Sequence, residues 1–463
     1  MADQSTKLRE VAWSELFPWF LLLRSVRIAL MARVLVLAAA GLIATTVGWR
    51  VLNATFGPEN DPVVADWRDE ALEWVWNASP GFRIEKSARS ADQVFNSAAV
   101  EIHRAPLALW RYLTRPFTEL FHGDLTTGGF LFLLLCCVWE LLVWGLIGGA
   151  ITRIAALRFT RDEVPPLTMG LKQAAMKLPS YSLPPLIALA GTAIFALQLL
   201  VLGWMMRLDV LALVAGIFWP FVILLGLMMS ILLLGALVGW PLMWSTVSVE
   251  GTDAFDALSR SYAYTYHRPF RLLWYVLFAA LLAMISMFVV KLFATSAIVL
   301  GDWSVDWGLD EPTMRNVVAP DRAPLEAPRI ASPDELPGDV GDEPDVLGDD
   351  SNQETDDADD VDRDSTTEQT EPNSMLRGAR RAISFWKSMV AALAAGYQAG
   401  FLWVAAVGVY LLLRRDIDGV QLSEVYIDQA DDFGLPPLAD EATTAVPETV
   451  PNAPAQPGDT GPA

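Results

Sequence analysis

Two sets of ionisable residues in this chain sit where chemistry would want them. Glu140 lies near the middle of an apolar run over 128–151, and Lys291 lies toward the end of another over 272–300. A lone carboxylate in hydrocarbon is costly, so Glu140 has to face the interior of a bundle, carry a proton or find a partner. Lys291 is the candidate partner, since the two depths differ by roughly one helical turn, about 5 Å. A transport or proton-relay site is one meaning of the pair. A structural polar contact, with a lysine reaching for the interface, is the other.

The second set is Glu250, Asp253, Asp256 and Arg260, in the polar stretch WSTVSVEGTDAFDALSRSYAYTYHRPF over 244–270. Spacing of three brings successive carboxylates near one helix face, but a hard divalent cation wants six or more oxygens. The alternative needs no ion. Asp253 caps the first turn of a short helix, with Asp256 also at the positive end of its dipole. Asp256 and Arg260 pair at i, i+4. Phe255, Leu258, Tyr262 and Tyr266 recur every three or four residues and mark an apolar face. The residue before Pro269 leaves the α region and ends the helix. These residues are read as a structural surface helix between two spans.

No catalytic, cofactor or metal set is expected. His103, His122 and His267 are scattered, and Cys136 and Cys137 are adjacent inside an apolar run, without zinc-ligand spacing. P-loop, metalloprotease and Ser/His/Asp patterns are absent, as is a basic patch for nucleic acid. The 302–373 stretch lacks the glycine-bearing calcium-loop pattern.

The elements that would position these residues are membrane spans. Of 463 residues, 53% are hydrophobic and 18 are Trp, and several apolar runs reach the length of a bilayer crossing. The fold class is an all-α integral membrane protein, a six-span helix bundle with interfacial amphipathic helices and a disordered acidic loop and tail. The net charge of −21 is concentrated. Residues 302–373 carry 23 acidic and 4 basic residues, and 414–463 carry 10 and 2. The membrane body is therefore mildly basic.

In chain order, 1–27 is an aromatic and basic interfacial segment, and 28–49 is the first of the spans in a membrane bundle over 28–301. The loop 50–125 holds two amphipathic pieces expected to rest on the outer leaflet, 65–76 with Trp67, Trp74 and Trp76, and 106–121. Spans follow at 128–151 and 184–206. The apolar run 210–244 is too long for one straight span. Gly216, Trp219 and Pro220 offer a kink, or a break between a re-entrant piece and a span. The fifth span is 272–300. The acidic loop 302–376 has too little apolar surface to fold alone. The last span with its flanks is 377–415, and the tail 416–463 is read as disordered.

A shift of 87 residues aligns Glu163 with Glu250 and Leu171 with Leu258. The earlier segment, TRDEVPPLTMGLKQAAMKLPSYSLPPL, has the same order of parts, with an apolar stripe at Leu167, Leu171, Ala174 and Leu178. A parallel internal repeat of span, short helix and span is expected. Basic residues at Arg24, Arg27 and Arg33, from Arg153 to Lys177, at Arg260, Arg268 and Arg271, and at Arg414 and Arg415 fall on one side, so both termini are expected in the cytoplasm.

The run GGAITRIAALRFTRDE over 148–163, with WPLMWSTVSVEGTDAFDALSRSYAYTYHRPFR over 240–271, resembles a group of uncharacterised multi-pass membrane proteins of planctomycete bacteria. More distantly, it is similar to the membrane domain beside some bacterial glycerophosphodiester phosphodiesterases. The resemblance covers roughly 104–300 and implies a bacterial cytoplasmic (inner) membrane location. It brings no activity, because the catalytic barrel's strand–helix alternation is missing here. The expected role is a non-enzymatic scaffold or accessory subunit whose partners are the bilayer and other proteins. A transporter or channel using Glu140 is the alternative.

Overall fold

The structure, a computed structural model, describes residues 17–58, 61–75, 91–99, 105–309, 317–318 and 374–426. Most of the acidic loop, the tail beyond 426 and the first 16 residues lie outside the described residues. The helices are α1 (Leu23–Ala29), α2 (Ala32–Phe56), α3 (Pro62–Ala71), α4 (Ala91–Ala99), α5 (Ala105–Glu119), α6 (Thr127–Thr160) and α7 (Leu167–Met176). They continue as α8 (Leu178–Met205), α9 (Asp209–Ile217), α10 (Trp219–Glu250), α11 (Ala254–His267), α12 (Pro269–Asp306) and α13 (Ser374–Asp418). A 3-10 turn, Pro18–Leu22, precedes α1. No strand occurs among the described residues.

Six of these helices, α2, α6, α8, α10, α12 and α13, are long and apolar enough to cross a bilayer. The chain is an all-α, multi-pass membrane protein. Proline stands in the first turn of α3, α8, α10 and α12, where its missing N–H is no loss and its fixed φ suits a helix start. The long run after Asp209 is resolved at Phe218. The nine-residue α9 ends there, and α10 continues as one span with Pro220 in its first turn.

The bundle is wrapped around α13. Its apolar window is 83% buried, against 11% for those of α8 and α10. α2, α6, α10 and α12 all pack on it. Against α2 the approach is close: a Cβ on Gly396 would stand 2.8 Å from the backbone N of Ala39 and the carbonyl O of Leu35, and one on Gly400 would stand 2.9 Å from Val34. Small residues four apart on one face let two spans touch backbone to backbone, the packing mode available where apolar burial alone gives no drive. Trp403 of α13 stacks on Trp244 of α10 at 4.4 Å, and Trp144 of α6 flanks it.

The expected repeat appears in the order of elements. α6, α7 and α8 form span, short helix and span, and α10, α11 and α12 do the same. The short helices begin at 167 and 254, 87 residues apart.

Several expectations are corrected. α5 does not rest on the bundle's outside. Leu109, Leu113 and Thr114 are buried, and the helix packs on α6, α12 and α13. Its aromatic residues Trp110 and Phe117 both meet Trp240 of α10. Trp67 of α3, expected as a surface anchor, is fully buried between Trp49 and Phe132, because α3 is bound to the head of α6. The buried face of α11 is Ala257, Ser261, Tyr264 and Thr265, with Leu258 half-buried, while Phe255 is 71% exposed. The small residues face α10, where a Cβ on Gly239 would stand 3.6 Å from the Ser261 Cβ. The large aromatics move to the flank, where Tyr262 and Tyr266 donate to the Leu232 and Ile231 carbonyls at 2.6 Å. The acidic loop also begins and ends in helix. Asp302 of α12 pairs with Lys387 of α13 at 2.7 Å, and α13 starts well before its apolar centre. Residues 416–418 likewise continue α13.

Asp61 is the device that binds α3 to α6. It caps α3 by accepting from the Val64 N–H at 3.1 Å, and it accepts the Thr126 N–H at 3.0 Å and hydroxyl at 2.6 Å. Thr126 in turn caps α6 through the Gly129 N–H at 3.1 Å. Burial alone pushes the Asp61 carboxyl up, but the bonds from Thr126 and Val64 outweigh it and hold it below its ordinary value. Asp61→Ala should therefore cost about 2–3 kcal/mol, a lost cap plus bonds to a charged acceptor. A folded value below the unfolded one means this contribution is full above the ordinary aspartate range and fades as pH falls through the folded value. Melting temperatures in detergent should show a deficit that is constant above about pH 5 and shrinks below about pH 4. A deficit unchanged in acid would mean that Asp61 acts without its charge.

Candidate functional site

The polar residues of the bundle gather at the end that carries the basic loops. Glu250 is the last residue of α10, where the free carbonyls of a helix make anions unwelcome. It is tolerated because cations surround it. Arg260 of α11 reaches one oxygen, Arg414 of α13 stands 3.0 Å from the other, and the Tyr410 hydroxyl donates to that same oxygen. The carboxylate is 8% exposed, and Arg414 is 13% exposed. Two consecutive helices and a third distant in sequence are thus tied at one side chain.

The expected local pairings are present around this centre. Asp253 accepts the Asp256 N–H at 2.9 Å and caps α11, and Arg260 pairs with Asp256 at 3.2 Å. Burial by itself pushes the Arg260 guanidinium down, but the Glu250 and Asp256 carboxylates outweigh it and hold it above its ordinary value. Tyr264, beside Asp418, is raised by burial and then by that carboxylate, so it donates and does not ionise. Burial pushes Tyr262 up to about 12, with Tyr266 adding to it. These carboxylates serve as caps and ion-pair partners. No group of three or more metal-ligating side chains occurs among the described residues.

A second layer closes the end of α10. Gly251 takes φ +68°, the left-handed conformation that ends a helix, and its N–H returns to the Val247 carbonyl at 2.9 Å. Arg153 of α6, 1% exposed, donates to the Ser248 and Tyr426 carbonyls, each at 2.9 Å. The Tyr181 and Thr152 hydroxyls meet Ser248 Oγ at 2.9 and 2.6 Å. The chain after α13 folds back here: the Tyr426 N–H donates to the Val249 carbonyl at 2.8 Å, and Lys177 lies 4.9 Å over its ring. The last carbonyls of α10 are therefore met by Arg153, by Lys177 and by a strap from the far end of the chain.

Glu140 stands apart from this network. It is fully buried on α6, and neither carboxylate oxygen has a hydrogen-bond partner among the described residues. Cys136 stands one turn earlier on α6. The Tyr112 hydroxyl of α5 lies 3.3 Å from Thr46 Oγ1 on α2. Lys291 is not brought to Glu140. It is buried on α12 and engaged in contacts of its own, and no ion pair or hydrogen bond joins the two. The depth estimate placed them about one helical turn apart, but α12 and α6 are not among the helix pairs that pack closely.

The sequence reading missed Arg153, Tyr410, Arg414 and Tyr426. Arg153 left a trace: one cation inside GGAITRIAALRF has apolar residues on every side, which suits a buried helix end better than a loop. No family model, curated protein or solved structure matches the chain, so its role is argued from geometry alone.

The hub makes a sharp contrast testable. Glu250→Gln leaves Arg414 with little exposure and no counter-charge, which should cost about 3–5 kcal/mol. Asp253→Ala removes only a cap and should cost about 1 kcal/mol. Thermal melting of both variants in one detergent should separate them clearly. Equal shifts would reduce Glu250 to a second cap.

Proposed function

We propose that the protein is a non-enzymatic membrane scaffold: a rigid core that displays a two-span hairpin to partner membrane segments. One contrast carries this reading. α13 and the Glu250 network fix the core, whereas α8 and α10 have 11% of their apolar windows buried. Along the hairpin, Leu197, Leu200, Leu213, Ile223 and Leu227 are more than half exposed. Its polar counterparts at the basic end are spent on joining helices. This leaves the protein organised to hold a shape and present a surface. The basic loops orient that surface, with the end bearing Arg268, Arg271, Arg414 and Arg415 in the cytoplasm of a bacterial cell.

Photo-crosslinking residues at Leu197 and Ile223, compared with Val36 and Val51 on exposed positions of α2, test the hairpin in native membranes. Discrete protein adducts at the hairpin sites, absent at the α2 sites, are expected. Lipid adducts alone at all four positions would defeat the scaffold reading. In a background lacking Cys136 and Cys137, a cysteine at Ser259 should stay unlabelled by an impermeant thiol reagent on intact cells. Its labelling would invert the orientation.

Glu140 supports the second reading, a transporter or channel. An acid with two unpartnered oxygens in a span lowers stability, and intramembrane carboxylates are commonly functional. On the scaffold reading, Glu140→Leu should match or exceed the parent in melting temperature, because apolar replacement of an unpaired buried group relieves its desolvation. Glu140→Gln should also complement a deletion strain. A folded Gln variant that fails to complement would favour transport.

A further inference from the structure

Neither the polar network nor the hairpin surface accounts for an apolar groove in the bundle. Between α10 and α12, spans that do not pack directly on each other, α13 forms the back wall of an apolar groove. Its cavity volume is about 440 Å³. Leu272, Ala280 and Met287 of α12 mark its length, Pro241 of α10 faces them, and Ala406 of α13 lies behind. Pro106 to Trp110 of α5 contribute to its lining, and Gln398 is its polar residue. The two helices flanking the opening have half-exposed side chains there, including Val238 and Val276, so the groove opens sideways toward the membrane.

The dimensions select the occupant. Leu272 to Met287 spans about 22 Å of helix at 1.5 Å per residue, longer than one ~15 Å leaflet of hydrocarbon. A helix ~10–12 Å across would fill far more than this 440 Å³ cavity over the same length. A single extended hydrocarbon chain fits this slot and another transmembrane helix does not.

The charge at one mouth selects the headgroup. Arg268, one turn before Leu272, is exposed and has no partner among the described residues. Arg271 beside it pairs with Asp416 at 3.0 Å, and Arg414 is bound to Glu250. The nearby acids Asp416 and Asp418 are held by Arg271 and Tyr275 and by Tyr264, respectively. Arg268 is thus the cation at this mouth with its charge uncommitted. We propose that the groove between α10 and α12 seats one acyl chain of an anionic phospholipid from the leaflet at the basic end, with Arg268 holding its phosphate. A cation near an anionic surface favours such a lipid over a zwitterionic one.

The test uses the full-length protein in nanodiscs made from equal parts phosphatidylglycerol and phosphatidylcholine. One of the two at a time carries a photoreactive group in its acyl chain. After irradiation, peptide mapping should place adducts on residues 279–287 and 402–409, favouring phosphatidylglycerol by about fivefold, the worth of one cation at a membrane surface. Arg268→Gln should erase that preference while keeping groove adducts. Ala280→Phe, at a half-buried wall position, should lower groove adducts from both lipids several-fold. Ala406→Leu is a second way of filling the slot should the first variant melt below the parent. Adducts confined to outward residues such as Leu197, a protein segment cross-linked in the slot, equal labelling by both lipids, or a preference that survives Arg268→Gln would each overturn the proposal.

Discussion

The contact on which the rest of this structure depends is the Glu250 carboxylate held between Arg260 and Arg414 with the Tyr410 hydroxyl on it. Glu250 ends α10, Arg260 lies in α11, and Arg414 and Tyr410 belong to α13, some 160 residues downstream. Hydrocarbon provides no solvophobic drive for spans to associate, so specific order among them has to come from packing and from polar contacts. Here the polar contacts are placed at one end of the bundle, where partial burial strengthens the attraction and nearby water limits the desolvation cost. The helix dipole would repel Glu250 from the end of α10. Two guanidinium groups reverse that sign, and in doing so they bring α11 and α13 to the same point.

That arrangement frees the membrane-embedded half to be almost purely apolar. The closest approach there, α13 on α2, relies on Gly396 and Gly400 and on the absence of side chains. The indole stack of Trp244 and Trp403 supplies the bulk that centres α10 on α13. Between α10 and α12 the spans do not close, and a groove remains that α5 and α13 line. The same logic explains why α8 and α10 stand out from the core. They pack on each other and on α11, while their outward faces carry long aliphatic side chains that the described residues leave exposed.

Much of the fold was legible in the residues because its signals are local. Apolar length marked six spans, Pro269 marked a helix end, and Asp253 followed by Asp256 and Arg260 marked a capped, paired helix. The stretch read as a surface helix between two spans ties the bundle through Glu250 more than through the helix that follows it. Partners of Glu250 lie far away in sequence, and nothing in the spacing of Tyr410 and Arg414 announces them. Periodicity also chose the wrong face of α11. It weighted Phe255 and the tyrosines by their hydrophobicity, whereas close packing on α10 favours Ala257 and Ser261 by size. Likewise, α5 reads as an amphipathic surface helix, and only tertiary contacts show that its apolar side is inserted among spans, with Trp110 and Phe117 on either side of Trp240.

Glu140 was legible as an anomaly, and the structure sharpens it. Among the described residues, the other deeply placed acids have a cation or donor close by: Asp61 has Thr126, Asp302 has Lys387, and Glu250 has its two arginines. A chain that equips those three so fully leaves Glu140 with no hydrogen-bond partner among the described residues. Removing a polar atom from water without a partner costs more than any single contact visible around α5 returns. A purely architectural account therefore explains the basic end of this protein and most of its spans, but not the acid at its centre. Glu140 is a cost to the bundle that no hydrogen bond among the described residues offsets.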